Sequence, residues 1–154
     1  MLTGRARTRA ELADALKARE VPDDAAVRVL DRLSRVRLID DQAFATSFVQ
    51  SRHHDRGLSA RELSRQLRAK GIEESLVDEA LAELDPDRER DTARQLVERK
   101  LRSMSRLEPQ VQTRRLVGML ARKGYSPGMA FQLVREVIGA QAAELEDDDT
   151  AWLA

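Results

Sequence analysis

A chain of 154 residues with no cysteine and with 27 basic against 27 acidic residues excludes disulfide scaffolds and thiolate zinc sites, and fits a reducing compartment. No apolar run approaches the length of a membrane helix, about 18 residues, and Met1-Leu2-Thr3-Gly4-Arg5 lacks the apolar stretch of a signal peptide. A soluble, cytoplasmic protein with no membrane partner is expected.

Helix signals dominate, and no stretch shows sustained two-residue alternation with β-branched and aromatic enrichment. Thr8 with Glu11 forms a capping-box pattern ahead of Leu12 and Leu16. A second helix opens near Pro22, a residue suited to the first turn, with Ala26, Val29, Leu30 and Leu33 on one side. A third opens at Asp40 or Asp41 and turns Phe44, Phe48 and Val49 inward. Gly57 breaks the chain, Ser59 and Glu62 form a second capping box, and Gly71 ends the helix of Leu63 and Leu67 as a left-handed C-terminal residue. Leu76, Val77, Ala80, Leu81 and Leu84 make the next stripe, which Asp85-Pro86-Asp87 stops before capping a helix through Leu96, Val97 and Leu101. Pro109 precedes the helix of Leu116 and Leu120, Gly124 ends it, and Ser126-Pro127 opens a helix with Ala130, Val134 and Val137 inward. A weaker helix is expected from Ala140 to Glu146, followed by an acidic run and Trp152.

The chain also aligns with itself. Thr8 to Val21 overlays Ser59 to Ile72 without a gap at a shift of 51 residues, and Leu116, Leu120, Lys123, Gly124 and Tyr125 fall a further 53 along from Leu63, Leu67, Lys70, Gly71 and Ile72. A period of this size marks stacked supersecondary units that lean on their neighbours for stability. The fold class is therefore all-α, three tandem three-helix units in an elongated array, with boundaries at 1–55, 56–106 and 107–154. The third unit has Gln112 where the others have Thr8 and Ser59, so its capping box is missing. The first unit begins so near Met1 that its opening helix is expected to be truncated.

Catalytic patterns are hard to find. His53 and His54 are adjacent and cannot both point into one site from a helix. No phosphate-binding glycine loop or HExxH motif occurs. The acidic groups Asp23-Asp24, Asp40-Asp41 and Asp147-Asp148-Asp149 read as helix caps rather than metal ligands. No enzyme activity, cofactor or metal is expected.

Charge distribution is the better lead, since segregated charge creates local potential even when the sum vanishes. Arg52, Arg56, Arg61, Arg65, Arg68 and Lys70 stand against only Asp55 and Glu62 between 52 and 70, and Arg114, Arg115, Arg122, Lys123 and Arg135 against Glu136 alone between 111 and 140. With Leu63 at the origin and about 100° per residue, Arg61, Arg65 and Arg68 fall about 160°, 200° and 140° away, on the outer face. The equivalent positions are Ala10, Asp14 and Lys17 in the first unit and Arg114, Gly118 and Ala121 in the third. Packing imposes no such change, so the arginine face reads either as an ordinary solvated face or as a surface selected for phosphate or carboxylate. Phe44, Phe48 and Phe131 lie on core-facing stripes, which leaves Tyr125 and Trp152 for base stacking, and Tyr125 sits at a core position. Any DNA contact would then be phosphate-directed and steeply salt-dependent.

Leu38-Ile39-Asp40-Asp41-Gln42-Ala43-Phe44-Ala45, then Phe48-Val49-Gln50-Ser51-Arg52, Gly57, Ser59, and Glu62-Leu63 through Lys70-Gly71-Ile72 with Val77 and Ala80-Leu81 resemble the signature of the RecX family, bacterial regulators of the RecA recombinase. The resemblance implies tandem three-helix units in a curved, elongated arrangement. It also implies binding to RecA and its filament on single-stranded DNA, with dampening of ATP hydrolysis and strand exchange; a monomer is expected. Basic helix faces are the contact surfaces it implies, with Arg52, Arg56, Arg61, Arg65, Arg68, Lys70, Arg114, Arg115, Arg122 and Lys123 as candidates for filament or direct DNA binding. On the residues alone, a helix-turn-helix DNA-binding regulator and a helical-repeat adaptor for proteins remain open.

Overall fold

The computed structural model describes residues 5–151; Met1 to Gly4 and Trp152, on which the leader and stacking expectations partly rest, lie outside them. Among the described residues there are eight helices and no strand: α1 (Arg9–Ala18), α2 (Asp23–Arg35), α3 (Asp41–Arg56), α4 (Ala60–Ala69), α5 (Glu74–Ala82), α6 (Pro86–Arg102), α7 (Pro109–Arg122) and α8 (Pro127–Ala151). None is long and apolar enough to cross a membrane. The chain divides into two compact units, one formed by Met1–Arg56 with Ala60–Leu84, the other by Gly57–Ser59 with Asp85–Ala154.

In the first unit α1 packs on α2, and α3, α4 and α5 pack on one another. In the second, α6, α7 and α8 do the same. The packed groups thus begin at α3 and α6. Boundaries at 56 and 107 would cut each of these helices from its partners. A self-alignment fixes the period of a repeat but not where one unit starts, because any cut point repeats equally well.

Local chemistry shapes the helix ends. The Thr8 hydroxyl accepts from the Glu11 amide at 3.1 Å, and the Thr8 amide donates to Glu11 Oε2 at 3.3 Å, which completes the expected capping box. The same hydroxyl donates to the Lys70 carbonyl at 2.8 Å, joining the start of α1 to the end of α4. Arg9 extends this junction: its amide donates to Asp41 Oδ1 at 2.9 Å and its guanidinium pairs with Asp31 at 2.7 Å. Asp40 caps α3 through the Ala43 amide, and Asp85 caps α6 through the Asp87 amide. These acids act as caps, as expected.

Four helices end alike, α2 and the three that the overlay relates. Glu20, Gly71 and Gly124 occupy the left-handed region at φ 60°, 77° and 94°. The amide of the apolar residue that follows each, Val21, Ile72 or Tyr125, reaches back to Leu16, Leu67 or Leu120 at 3.1 to 3.2 Å. This is the six-to-one bond of a Schellman motif, with its apolar residue after the cap. The sequence overlay therefore aligns true structural equivalents. At Gly71 a side chain is also shut out sterically, since a Cβ would overlap the Ala10 methyl. Among the three residues aligned by the overlay only Glu20 carries a Cβ at this strained position; at the end of α2 Arg37 does so too, at φ 58°, with the Leu38 amide reaching back to Leu33 at 2.9 Å. Glu20→Gly is expected to raise stability by roughly 0.5 kcal/mol, the relief of left-handed strain less the added unfolded-state entropy of glycine, read as a higher urea midpoint at unchanged slope.

Several expectations are corrected. Pro22 precedes α2 as its N-cap residue, and Val29 is 44 % exposed, so α2 buries Leu30 with Leu33 alongside and leaves Val29 in water. α7 starts at Pro109, a turn earlier than its equivalents α1 and α4, so Gln112 lies inside the helix. Its buried amide donates to the Met104 carbonyl at 2.9 Å and ties down the preceding loop. Ser126 and Pro127 open α8 as expected, with the Met129 amide donating to Ser126 Oγ at 3.4 Å. The helix then continues without a break through Gly139 to Ala151. Asp147, Asp148 and Asp149 consequently lie within this helix, far from its N-terminus, and are not caps.

The α6–α8 core is the larger. Val97, Leu116, Leu120, Leu133 and Val134 are fully buried there, with Met104 and Tyr125 completing the cluster. Among the described residues, the α1–α2 core holds only Leu12, Leu30 and Ile39 as buried members.

Candidate functional site

The basic residues singled out by sequence do not form one site. Arg61, Arg65 and Arg68 share the exposed face of α4, because Leu63, Ser64 and Leu67 turn inward. Two of the three guanidiniums already hold carboxylates. Arg65 clasps Glu62 through Nε at 2.9 Å and Nη2 at 2.6 Å, and Arg68 clasps Glu74 through Nε at 2.8 Å and through Nη2. Arg61 carries no ion pair among the described residues. The Arg68–Glu74 pair is exposed on both sides and therefore weak and screened, so a stronger anion displaces Glu74 readily, whereas Glu62 is only 17 % exposed and is also held by Gln66.

Lys70 belongs to the fold rather than to this face. Its ammonium pairs with Glu11 Oε1 at 2.9 Å, with only 27 % of its side chain exposed, and lies 5.8 Å and 6.0 Å from the ring centres of Phe44 and Phe48. Burial works to raise the Glu11 pKa, but hydrogen bonds from Lys70 and the Thr8 amide outweigh it, so the carboxyl titrates below its ordinary value. Arg52 is also engaged, with its guanidinium 5.1 Å over the Phe48 ring. Phe44 and Phe48 stack on each other at 5.9 Å. Arg56 is exposed at the end of α3.

Glu62 gives a titration test of the α4 face. Hydrogen bonds from Arg65 first and then Gln66 pull its pKa from 4.5 down to about 2, against burial. A carboxylate whose pKa is depressed by folding contributes stability above its unfolded pKa and loses it as pH falls toward the folded value. Stability should therefore be flat from neutral pH down to about 5 and decline between about 4.5 and 2. Because the Arg65 side of the pair is exposed and solvent screens it, Glu62 accounts for only about 0.5 kcal/mol of that decline, and Glu62→Gln removes this part from a series of urea melts against pH.

In the second unit Arg114, Arg115 and Arg122 do converge. They line a depression of about 930 Å³ between the end of α6 and the body of α7, together with Lys100 and Arg106, two cations that sequence reasoning missed. Lys100 and Arg106 fall outside the 111–140 window and meet the others only through the turn after α6. Lys123 is set apart: it is half-buried, and its carbonyl accepts the Ser59 amide at 2.9 Å.

The aromatic assignment also changes. Tyr125 is 4 % exposed and belongs to the core, as expected. Phe131, expected inside, is 50 % exposed and lines a second depression with Pro109, Val117 and Arg114. The buried stripe of α8 runs through Ala130, Leu133, Val134 and Val137. At about 100° per residue Phe131 stands about 110° off the middle of that stripe, so helical phase contained the signal.

Fold and surface together define a helical-repeat protein that presents cationic faces. Three family models match in chain order: the first three-helix domain of RecX over residues 1–33, the second over 40–81 and the third over 87–134. The chain is 54 % identical over 153 residues to the regulatory protein RecX of Streptomyces lividans, covering 99 % of this chain and 79 % of that one. It is 51 % identical over 139 residues to the RecX of Mycolicibacterium smegmatis, covering 87 % and 73 %. The crystal structure of RecX from Lactobacillus salivarius superposes with a TM-score of 0.74 over 88 % of each chain at 21 % identity. The chain belongs to the RecX family. The second match covers α3, α4 and nearly all of α5, and the third covers nearly all of α6, α7 and the first turns of α8, in line with the groups that pack together.

Proposed function

We propose that the protein is a negative regulator of the RecA recombinase. It binds the RecA filament on single-stranded DNA and dampens ATP hydrolysis and strand exchange, by occupancy and not by chemistry. The observation that carries this reading is the relation to regulatory RecX proteins along nearly the whole chain. The α4 arginine face and the α6–α7 groove support it, since both offer guanidiniums to an anionic surface and the Glu74 carboxylate on Arg68 is exposed and exchangeable. On this reading the protein acts in the cytoplasm as a monomer and needs no cofactor.

The test is a titration of RecA ATPase on single-stranded DNA. Suppression by amounts well below those of RecA indicates that filament growth is blocked. Suppression only near saturation indicates occupation of the filament groove. No suppression at any ratio overturns the reading.

A further inference from the structure

The groove between α6 and α7 is cationic without compensation. Lys100, Arg106, Arg114, Arg115 and Arg122 line it and no carboxylate does. Among the described residues none of the five forms an ion pair. The chain as a whole has as many acids as bases, so five unpaired cations in one groove are a local arrangement and not a by-product of a basic protein. Arg114 is shared with the neighbouring depression, of about 410 Å³, where the half-exposed Phe131 forms a wall.

Gly118 sits in the groove inside α7, where glycine weakens a helix relative to alanine. Packing does not require it: a Cβ there would meet only the tip of Arg122, at 3.4 Å. The missing side chain leaves the helix surface open to close approach.

We propose that this face of the third domain is itself a binding site for single-stranded DNA, with phosphates along the five cations and a base stacked on Phe131. An acidic peptide would use the cations and leave the ring idle. A duplex keeps its base faces inside its own stack. Only an unpaired strand offers spaced phosphates and free π-faces together, and the planar fork of arginine fits phosphate oxygens two at a time. In naming DNA the proposal rests on the filament reading above, but it requires direct contact without the recombinase.

The test is fluorescence anisotropy of a labelled oligothymidine of about 20 nucleotides with the full chain, in the absence of RecA, over about 50 to 200 mM salt. Affinity is expected to fall with salt at a log–log slope of about −3 to −4, near −0.7 for each of five phosphates. Arg114→Glu with Arg115→Glu should weaken binding about tenfold or more and flatten that slope. Phe131→Ala should weaken it about fivefold or more at unchanged slope, and Phe131→Trp should preserve it. Far-UV circular dichroism checks that each variant is folded. Equal affinity for a duplex of the same length, displacement by polyglutamate as readily as by unlabelled strand, or unchanged binding by either variant would overturn the proposal. Suppression of RecA ATPase without strand binding would sink this inference while leaving the filament reading intact.

Discussion

Tyr125→Ala lowers the stability of the second unit by about 3 to 5 kcal/mol, the range for deleting a fully buried aromatic side chain. Tyr125→Phe separates the two contributions. The ring is buried in the α6–α8 core, while its hydroxyl donates to the Gly57 carbonyl at 2.8 Å across 68 positions of sequence. Burial, reinforced by the nearby Glu89 carboxylate, pushes the hydroxyl pKa above its ordinary value, so it is a neutral donor at neutral pH. Removing the hydroxyl alone leaves the carbonyl without this bond and costs about 1 to 3 kcal/mol. Urea melts of the two variants against wild type check both figures. Equal stability of Tyr125→Phe and wild type would show that water replaces the lost donor.

Charge reversal of the α4 face, Arg61→Glu with Arg65→Glu and Arg68→Glu, raises the amount of protein needed to half-suppress RecA ATPase by about tenfold or more, equivalent to about 1.4 kcal/mol of binding. The fold tolerates it, because all three arginine side chains are exposed and solvent screens the ion pairs that are lost. A folded triple variant that suppresses as well as wild type removes this face from the contact surface. Reversal at Arg114 and Arg115 in the same assay ranks the two surfaces.

Most of the architecture was legible in the residues. Apolar spacing and punctuation by Thr8, Asp85-Pro86, Gly71, Gly124 and Ser126-Pro127 act within a turn or two, so sequence displays them directly. The phase of the repeat was not legible, because it depends on which helices pack. The α8 helix runs through Gly139 and an acidic segment that local propensity would have ended. At the candidate surfaces, arginine exposure on α4 followed from helical geometry, whereas the partners of Lys70 and Arg68 did not. Glu11 lies 59 positions from Lys70, and Glu74 reaches Arg68 around the turn after α4. The groove escaped notice for the same reason, since Lys100 and Arg106 approach α7 only after the chain reverses.

The small core under α1 and α2 has a consequence for how the molecule opens. A ten-residue helix is too short to persist in water by itself, and α1 is held by Leu12, by the Thr8 hydroxyl and by the Lys70–Glu11 pair. Regions with few buried apolar groups form the low end of the ladder of local unfolding free energies. Amide hydrogens of α1 and α2 should therefore exchange with deuterium well before those of α6 to α8, making the leading helices the segment that lets go first and re-forms last.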